Sequence, residues 1–296
     1  MTGRRFSRSV KNICRHVMVM QLTVSGIWYL ERQKNEGKQM VSVIIPVYNA
    51  GEYVREALDS VLKQEVPMEI IVLDDCSEDG SADCVKAWIS EKKSELLRRT
   101  VDVRLVKNPC NLGVAETRNK GVLLARGEYV ALLDADDRFA DGKLKKQLAL
   151  LEKTGACLCN TGRVLIQPDG NSTGIIIETP RKITLKKLEK SNYINCSSVV
   201  AKRDVMLRFP MEHSEVHEDY LTWLRLLKQY DYVVGINEPL LEYRLSKEGK
   251  SRNKWKSACM TYRTYRYAGY PLIRSVCMMF SYTIQGIKKY KIVKKH

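Results

Sequence analysis

The sequence predicts an α/β fold with a Rossmann-like parallel sheet wrapped by helices, and three observations predict it. Short apolar runs alternate with amphipathic stretches three times between Val41 and Ala125, and a fourth apolar run follows. The connections are long enough for right-handed crossovers between parallel strands. Two of the apolar runs end abruptly in carboxylates, and open α/β sheets bind ligands at the carboxyl ends of their strands.

Taken in order, Val41-Ser42-Val43-Ile44-Ile45-Pro46-Val47 is a β-rich run closed by a turn, Tyr48-Asn49-Ala50-Gly51. Glu52 to Gln64 carries Tyr53, Ala57, Leu58, Val61 and Leu62 as a helical stripe, and Pro67 ends that unit. Glu69 to Leu73 is the second strand, and Asp74-Asp75 closes it. The turn Cys76 to Ser81 leads into a helix over residues 82–97. Val101 to Val106 alternates as a third strand, residues 108–113 form a loop, and residues 114–125 form a helix stopped at Arg126-Gly127. Tyr129 to Leu133 is a short buried strand that runs into Asp134-Ala135-Asp136-Asp137.

Three carboxylates within four positions at a buried strand end call for pairing or a cation. Hard oxygen donors at such an edge suit Mg²⁺ or Mn²⁺ carrying substrate phosphates. The alternative is a polar turn, where Asp is common. A GxGxxG turn and a Walker P-loop are both missing after the first strand, so no glycine-rich loop cradles phosphates there.

Farther on, residues 142–153 form an amphipathic helix. Residues 155–159, 163–167 and 197–201 suggest strands, with a hairpin turn at Pro168-Asp169-Gly170-Asn171. His217-Glu218-Asp219 precedes a helical run of Leu221, Trp223, Leu224 and Leu227. Asp219 there is a candidate general base, with a helix cap as the competing reading. The zinc signature HExxH is absent.

The formal net charge is +16, and it is unevenly placed. Residues 1–40 carry +6 and residues 244–296 carry +13, whereas residues 41–243 carry −3. Basicity confined to the flanks fits an anionic membrane surface better than nucleic acid, which would want positive charge around the cleft. Nine cysteines, an odd number with no CxxC, fit reduced thiols rather than a disulfide framework or zinc knuckle. Residues 1–39 combine five early basic residues with an apolar run, Val17 to Leu30, too short for a comfortable membrane span. They are an extension dispensable for catalysis if the working chain starts at Met40. Residues 271–296 open at Pro271 and place Leu272, Val276, Met279, Phe280, Thr283, Ile287 and Tyr290 on one stripe ahead of five lysines. That pattern is expected to lie on an anionic membrane, or else to pack back on the domain.

From Val41 to about Tyr243 the motifs resemble the family 2 glycosyltransferases. They are VSVIIPVYN at 41–49, SVLKQ at 60–64, IVLDDCSEDGS at 71–81, Asn111-Leu112-Gly113, Arg118-Asn119, Gly127-Glu128-Tyr129, Leu133 to Asp137, and His217-Glu218-Asp219. The resemblance implies the GT-A fold, with a nucleotide-sugar-binding half at residues 40–140. That sheet would continue into an acceptor-binding half at 141–243, ahead of a basic helical tail at 244–296. It implies Pro46 and Tyr48 near a uracil, Asp75 bonding its edge and Asp74 assisting. Arg118 would approach the nucleotide, Asp134 its ribose, and Asp136 a Mn²⁺ or Mg²⁺ ion on the diphosphate. Glu218 would contact substrate and Asp219 would be the base. Two departures stand out: Glu116-Thr117 where small residues are usual, and Cys76 after the acid pair.

One base and one in-line displacement would invert the anomeric centre. The implied reaction moves a sugar from a nucleoside diphosphate, uridine diphosphate by resemblance, to a saccharide. The acceptor would be lipid-linked, at the cytoplasmic face of a bacterial membrane, in surface-polysaccharide synthesis. A non-catalytic nucleotide-sugar or polysaccharide binding protein is the competing class, and retention of Asp75, Asp136 and Asp219 argues against it. A sugar-phosphate nucleotidyltransferase would want a glycine-rich, arginine-bearing first loop, which is absent.

Overall fold

The structure is a computed structural model and describes residues 40–213, 215–245 and 254–293. The extension at 1–39 lies outside the described residues. The strands are β1 (Val41–Val47), β2 (Met68–Asp74), β3 (Asp102–Lys107), β4 (Tyr129–Leu132), β5 (Arg138–Phe139), β6 (Leu158–Ile166), β7 (Ser172–Ile177), β8 (Lys182–Ile183), β9 (Val200–Lys202) and β10 (Val233–Arg244). The helices are α1 (Val54–Leu62), α2 (Ser81–Glu91), α3 (Lys93–Arg99), α4 (Val114–Leu124), α5 (Lys143–Thr154), α6 (Leu185–Leu188), α7 (Arg203–Arg208), α8 (Glu218–Leu227), α9 (Lys254–Tyr267) and α10 (Leu272–Val293).

All ten strands join one sheet in the order β3-β2-β1-β4-β9-β6-β10-β5, with β7 on β6 and β8 on β10. The first four strands are mutually parallel, as the strand–helix alternation predicts. The sheet then becomes mixed: β9 runs antiparallel to β4 and β6, and β10 runs parallel to β6. Strand order reverses at β1, so the crevice between the carboxyl ends of β1 and β4 is a topological switch point.

The period-2 geometry of the strands divides the core into two layers. Ile44, Ile71 and Leu73 face one apolar cluster, whereas Val43, Ile45, Ile70 and Val72 face the other. Helix α4 lies close on the sheet because it offers Gly121, where an added Cβ would sit 2.4 Å from the Ile44 side chain.

Several expected elements change. The helix over 82–97 is two helices that break at Lys92, where ψ is near 4°. The two strands read at 155–159 and 163–167 are one strand, β6, that passes Gly162 beside the Glu238 carbonyl with no room for a side chain. The strand at 197–201 is a 3-10 turn, Cys196–Ser198, followed by the short β9. Arg244, first residue of the basic tail by charge, ends β10 and is buried.

The tail itself is also built in. Helix α9 buries Met260, Thr264 and Tyr265. The Thr264 hydroxyl accepts the His217 N–H, and the Tyr265 hydroxyl hydrogen-bonds Tyr220 at 2.9 Å. The expected single stripe on α10 splits: Met279 packs on the core beside Met278 and Tyr282, whereas Leu272 and Phe280 turn outward with Ile273. Ile287 and Tyr290 lie where side chains are outside the described residues. No helix among the described residues is long and apolar enough to cross a membrane.

Candidate active site

The site lies along the carboxyl edge of the parallel strands. After β1, Asn49 adopts a left-handed φ of 48° that Asn tolerates well. Its Oδ1 accepts the Glu78 N–H, and its own N–H reaches the Ser77 hydroxyl. The Ala50 N–H meets the Ser81 hydroxyl, and the Gly51 N–H meets Asp79. The motif at 77–81 therefore fastens the β2–α2 loop to the β1–α1 loop. Tyr48 projects from that joint with half its surface open, while Pro46 stays within β1.

Asp75 has a scaffold duty beyond the nucleotide contact implied by resemblance. Its Oδ1 accepts from Asn108 Nδ2 and Leu112 N–H, both at 2.8 Å, and its Oδ2 accepts from Gly113 N–H at 2.9 Å. An ionised carboxylate has about four acceptor positions, so one stays available to a ligand. Asp74 is fully buried: Oδ1 accepts the Ser77 N–H, and Oδ2 accepts no hydrogen bond among the described residues, with Lys107 Nζ 3.9 Å away.

The acidic turn after β4 is more than a turn. The Asp134 N–H donates to the Ser197 hydroxyl, and the Asp137 N–H donates to the Asp134 carbonyl. Asp137 is buried, and its Oδ1 accepts the Arg244 N–H; burial and the neighbouring Asp136 push its carboxyl well up. The Arg244 side chain holds the same turn through the Asp136 carbonyl at 2.8 Å, and reaches Glu56 and the Pro168 carbonyl. Asp136 thus has its backbone clamped, while among the described residues its carboxylate has no side-chain partner. Burial and the charge of Asp134 raise that carboxyl to about 6.

Arg118 joins this turn to the far side of the site. Its guanidinium is buried, 2.5 Å from Asp134 and 3.4 Å from Glu218, residues 84 positions apart in sequence. Asp219 follows Glu218 in the first turn of α8. The N-cap residue His217 makes no side-chain cap bond and the helix starts one residue before Asp219, but Asp219 Oδ1 accepts the Tyr220 N–H at 2.7 Å, so this carboxylate caps in part and keeps its other oxygen for a second role. Burial and the Glu218 charge lift the Asp219 carboxyl to about 6. Cys196 lies where the fields of Arg118, Asp134, Asp219 and Glu218 all reach it; its own thiol is pushed well up by burial.

The structure therefore brings Asp134, Arg118, Glu218 and Asp219 into one cluster and sets Asp136 in the adjoining turn. Sequence reasoning missed Arg244, Ser197 and Cys196. Ser197 reads as the start of a strand, although the polar run Asn195 to Ser198 that also holds Cys196 is a composition that suits an irregular turn; a single Arg at a strand end gave no signal.

The donor set fits a divalent cation. Asp136 offers a hard oxygen whose carboxyl is raised by burial and by Asp134, and among the described residues no side chain hydrogen-bonds to it. No cluster of three ligating side chains exists among the described residues. A cation held by one or two carboxylates and a substrate diphosphate needs no such cluster.

The glycosyl transferase family 2 model matches residues 42–212. The chain belongs to that family. A Bacillus subtilis member named as the teichuronic acid biosynthesis glycosyltransferase TuaG is 37% identical over 230 residues, covering 77% of this chain and 88% of that one. The Escherichia coli glycosyltransferase WfgD, a UDP-Glc:α-D-GlcNAc-diphosphoundecaprenol β-1,3-glucosyltransferase, is 31% identical over 257 residues, covering 85% and 95%. Among solved structures, Staphylococcus aureus TarS with UDP aligns with a TM-score of 0.59 at 18% identity, covering 81% of this chain and 69% of that one. The Pyrobaculum calidifontis mannosyltransferase PcManGT, with GDP-Man and Mn²⁺, aligns at 0.58 and 18%, covering 92% and 78%. This family 2 chain has the GT-A fold shared by those structures.

Proposed function

We propose that this family 2 glycosyltransferase moves a sugar, with inversion, from a uridine diphosphate sugar to a lipid-linked saccharide. The product would enter a bacterial cell-surface polysaccharide. The observation that carries the reading is the Arg118 bridge, which couples the acidic turn to the Glu218-Asp219 pair. UDP in TarS and the diphosphoundecaprenol acceptor of WfgD support the choice of donor and acceptor class.

In this reading residues 40–140 bind the donor. Tyr48 and Pro46 form the wall for the base, and Asp75 uses its remaining acceptor position on the base edge, with Asp74 holding the loop beneath. Asp134 turns its free oxygen to the ribose, and Arg118 pairs with its other oxygen and fixes that carboxylate in place. Asp136, with Asp134 beside it, would hold Mn²⁺ or Mg²⁺, which when bound neutralises charge growing on the departing diphosphate.

Residues 141–243 bind the acceptor. Asp219 takes the proton from the acceptor hydroxyl as that oxygen bonds to the anomeric carbon and the carbon–phosphate oxygen bond breaks. The electron pair leaves with the nucleoside diphosphate. One displacement inverts the centre. Glu218, held by its ion pair with Arg118, orients the acceptor. The enzyme works at the cytoplasmic face of the membrane. Its contact there is the outward face of α10, where Leu272, Ile273 and Phe280 are each more than half exposed.

The test is a panel of nucleotide sugars with a diphosphate-linked lipid acceptor, with Mn²⁺ and with chelator. Transfer from a uridine diphosphate sugar, lost on chelation and inverted by NMR of the product, is the expected result. Retained configuration, or transfer undiminished in Asp219→Asn, overturns the mechanism.

A further inference from the structure

Beside the base helix lies a second, basic hollow. It is open, about 340 Å³, and lined by Glu215, Arg263, Arg266 and Tyr267. One wall is the loop leading into α8; the other is α9, which the His217 N–H ties to Thr264. Arg263, Arg266 and Tyr267 follow the i, i+3, i+4 spacing that puts them on one helix face.

We propose that this hollow binds the diphosphate of the acceptor. The inference rests on the lipid-linked acceptor reading above and identifies where its charge is met. Four observations carry it.

First, the guanidinium of Arg263 makes no hydrogen bond or ion pair among the described residues, and it is exposed. The arginines of the donor side are already committed: Arg118 to Asp134 and Glu218, Arg138 to Glu56 and Glu242, Arg244 to Glu56. Second, Arg266 uses one nitrogen on the Tyr270 carbonyl, which leaves the rest of its fork open. Two forks side by side match the oxygens of a diphosphate better than those of a single carboxylate.

Third, the hollow has a fixed wall. The Tyr267 ring stacks on His213 at 4.0 Å, and its hydroxyl hydrogen-bonds Glu215, which also meets His213 Nδ1 at 3.2 Å. The one carboxylate in the hollow is therefore engaged by two donors of its own. Fourth, the hollow lies close to Asp219. Glu215 precedes Asp219 by four residues, a span of at most about 14 Å even fully extended. That is the scale of a hexose whose hydroxyl meets the base while its anomeric diphosphate reaches the arginines.

The test compares two soluble acceptors: an N-acetylhexosaminyl diphosphate ester of a short alkyl alcohol, and the same sugar as a plain alkyl glycoside. The wild-type enzyme should prefer the diphosphate ester in kcat/KM, and inorganic pyrophosphate should compete with it. Arg263→Ala/Arg266→Ala should lower that preference at least tenfold, chiefly through KM. Arg263→Ala alone, which removes no hydrogen bond among the described residues, should lower it by a smaller factor without touching the fold. Lysine at both positions should restore part of it.

A wild-type enzyme with no preference would refute the acceptor reading itself. A wild-type preference that survives in the double variant would refute the hollow as its site. So would a double variant that loses only its binding to phosphatidylglycerol vesicles, because the arginines would then serve membrane headgroups.

Discussion

At the residue scale, the site sets carboxylates apart by their surroundings. Asp134 is half-open and has a guanidinium at 2.5 Å; Asp219 has burial and Glu218 working against its charge. A base raised to about 6 is ionised at neutral pH and is protonated as the medium turns acid. The acid limb of kcat/KM should therefore bend near pH 6 and fall about tenfold per unit below it. Asp219→Asn should cut transfer by roughly 10²–10⁴-fold and erase that limb. A pH profile unchanged in the residual activity of Asp219→Asn would show that another group sets the limb.

Element by element, the acidic turn is shaped by structure that lies behind it. Gln147 on α5 donates to the carbonyls of Cys159 and Ser198, which fixes the 3-10 turn whose Ser197 receives Asp134. Gln147 is in turn held by Lys143, fully buried, with its ammonium 4.0 Å from the Phe139 ring centre. Burial lowers this lysine to about 7. The unfolded chain then holds one more proton than the folded one between about pH 7 and the ordinary lysine range, so stability rises with pH across that window. From pH 7 to pH 9 Lys143 should contribute about 2 kcal/mol of that rise. Urea unfolding of Lys143→Met should show a flatter dependence by that amount. Equal slopes in the two proteins would mean that folding does not lower the Lys143 ammonium and that it keeps its charge in the folded chain.

The same elements show what sequence alone can carry. Strands β1 to β4 and helices α1 and α4 were legible because their apolar periodicity is local and matches the 2.0 and 3.6 residue repeats. Asp136 and Asp219 stood out as candidates, the one because three carboxylates crowd a buried strand end and the other because His217-Glu218-Asp219 matches the family's motif. The Arg118 bridge was not legible, since it joins positions 134 and 218 through a fold no local pattern encodes. Nor was the role of Arg244, whose charge merged by composition into the basic tail while its side chain turned inward. The break at Lys92 and the splitting of the α10 stripe are packing outcomes, set by what the helices meet rather than by their own period.

For the whole molecule, the decisive feature is that the basic segment both completes the core and offers an outer face. Tyr265 bonds Tyr220 and the Glu189 carbonyl, and Arg274 pairs with Glu189. Outward, Leu272, Ile273 and Phe280 lead in sequence toward Lys288, Lys289 and Lys291. Replacing those three apolar residues with Ser should reduce pelleting with phosphatidylglycerol vesicles more than tenfold, since each apolar side chain buried in lipid contributes roughly 1–3 kcal/mol. Nucleotide binding in solution should persist. Vesicle binding equal to wild type would remove α10 as the membrane contact.

The reach of Arg244 also sets an order of birth. The acidic turn at 134–137 leaves the ribosome more than a hundred residues before the arginine that clamps it. Until β10 is made, β6 lacks its parallel neighbour and Glu56 lacks this guanidinium. A nascent chain thus carries a half-assembled crevice through much of its synthesis, and the acidic turn gains its clamp only when the last strand of the sheet has slid into register.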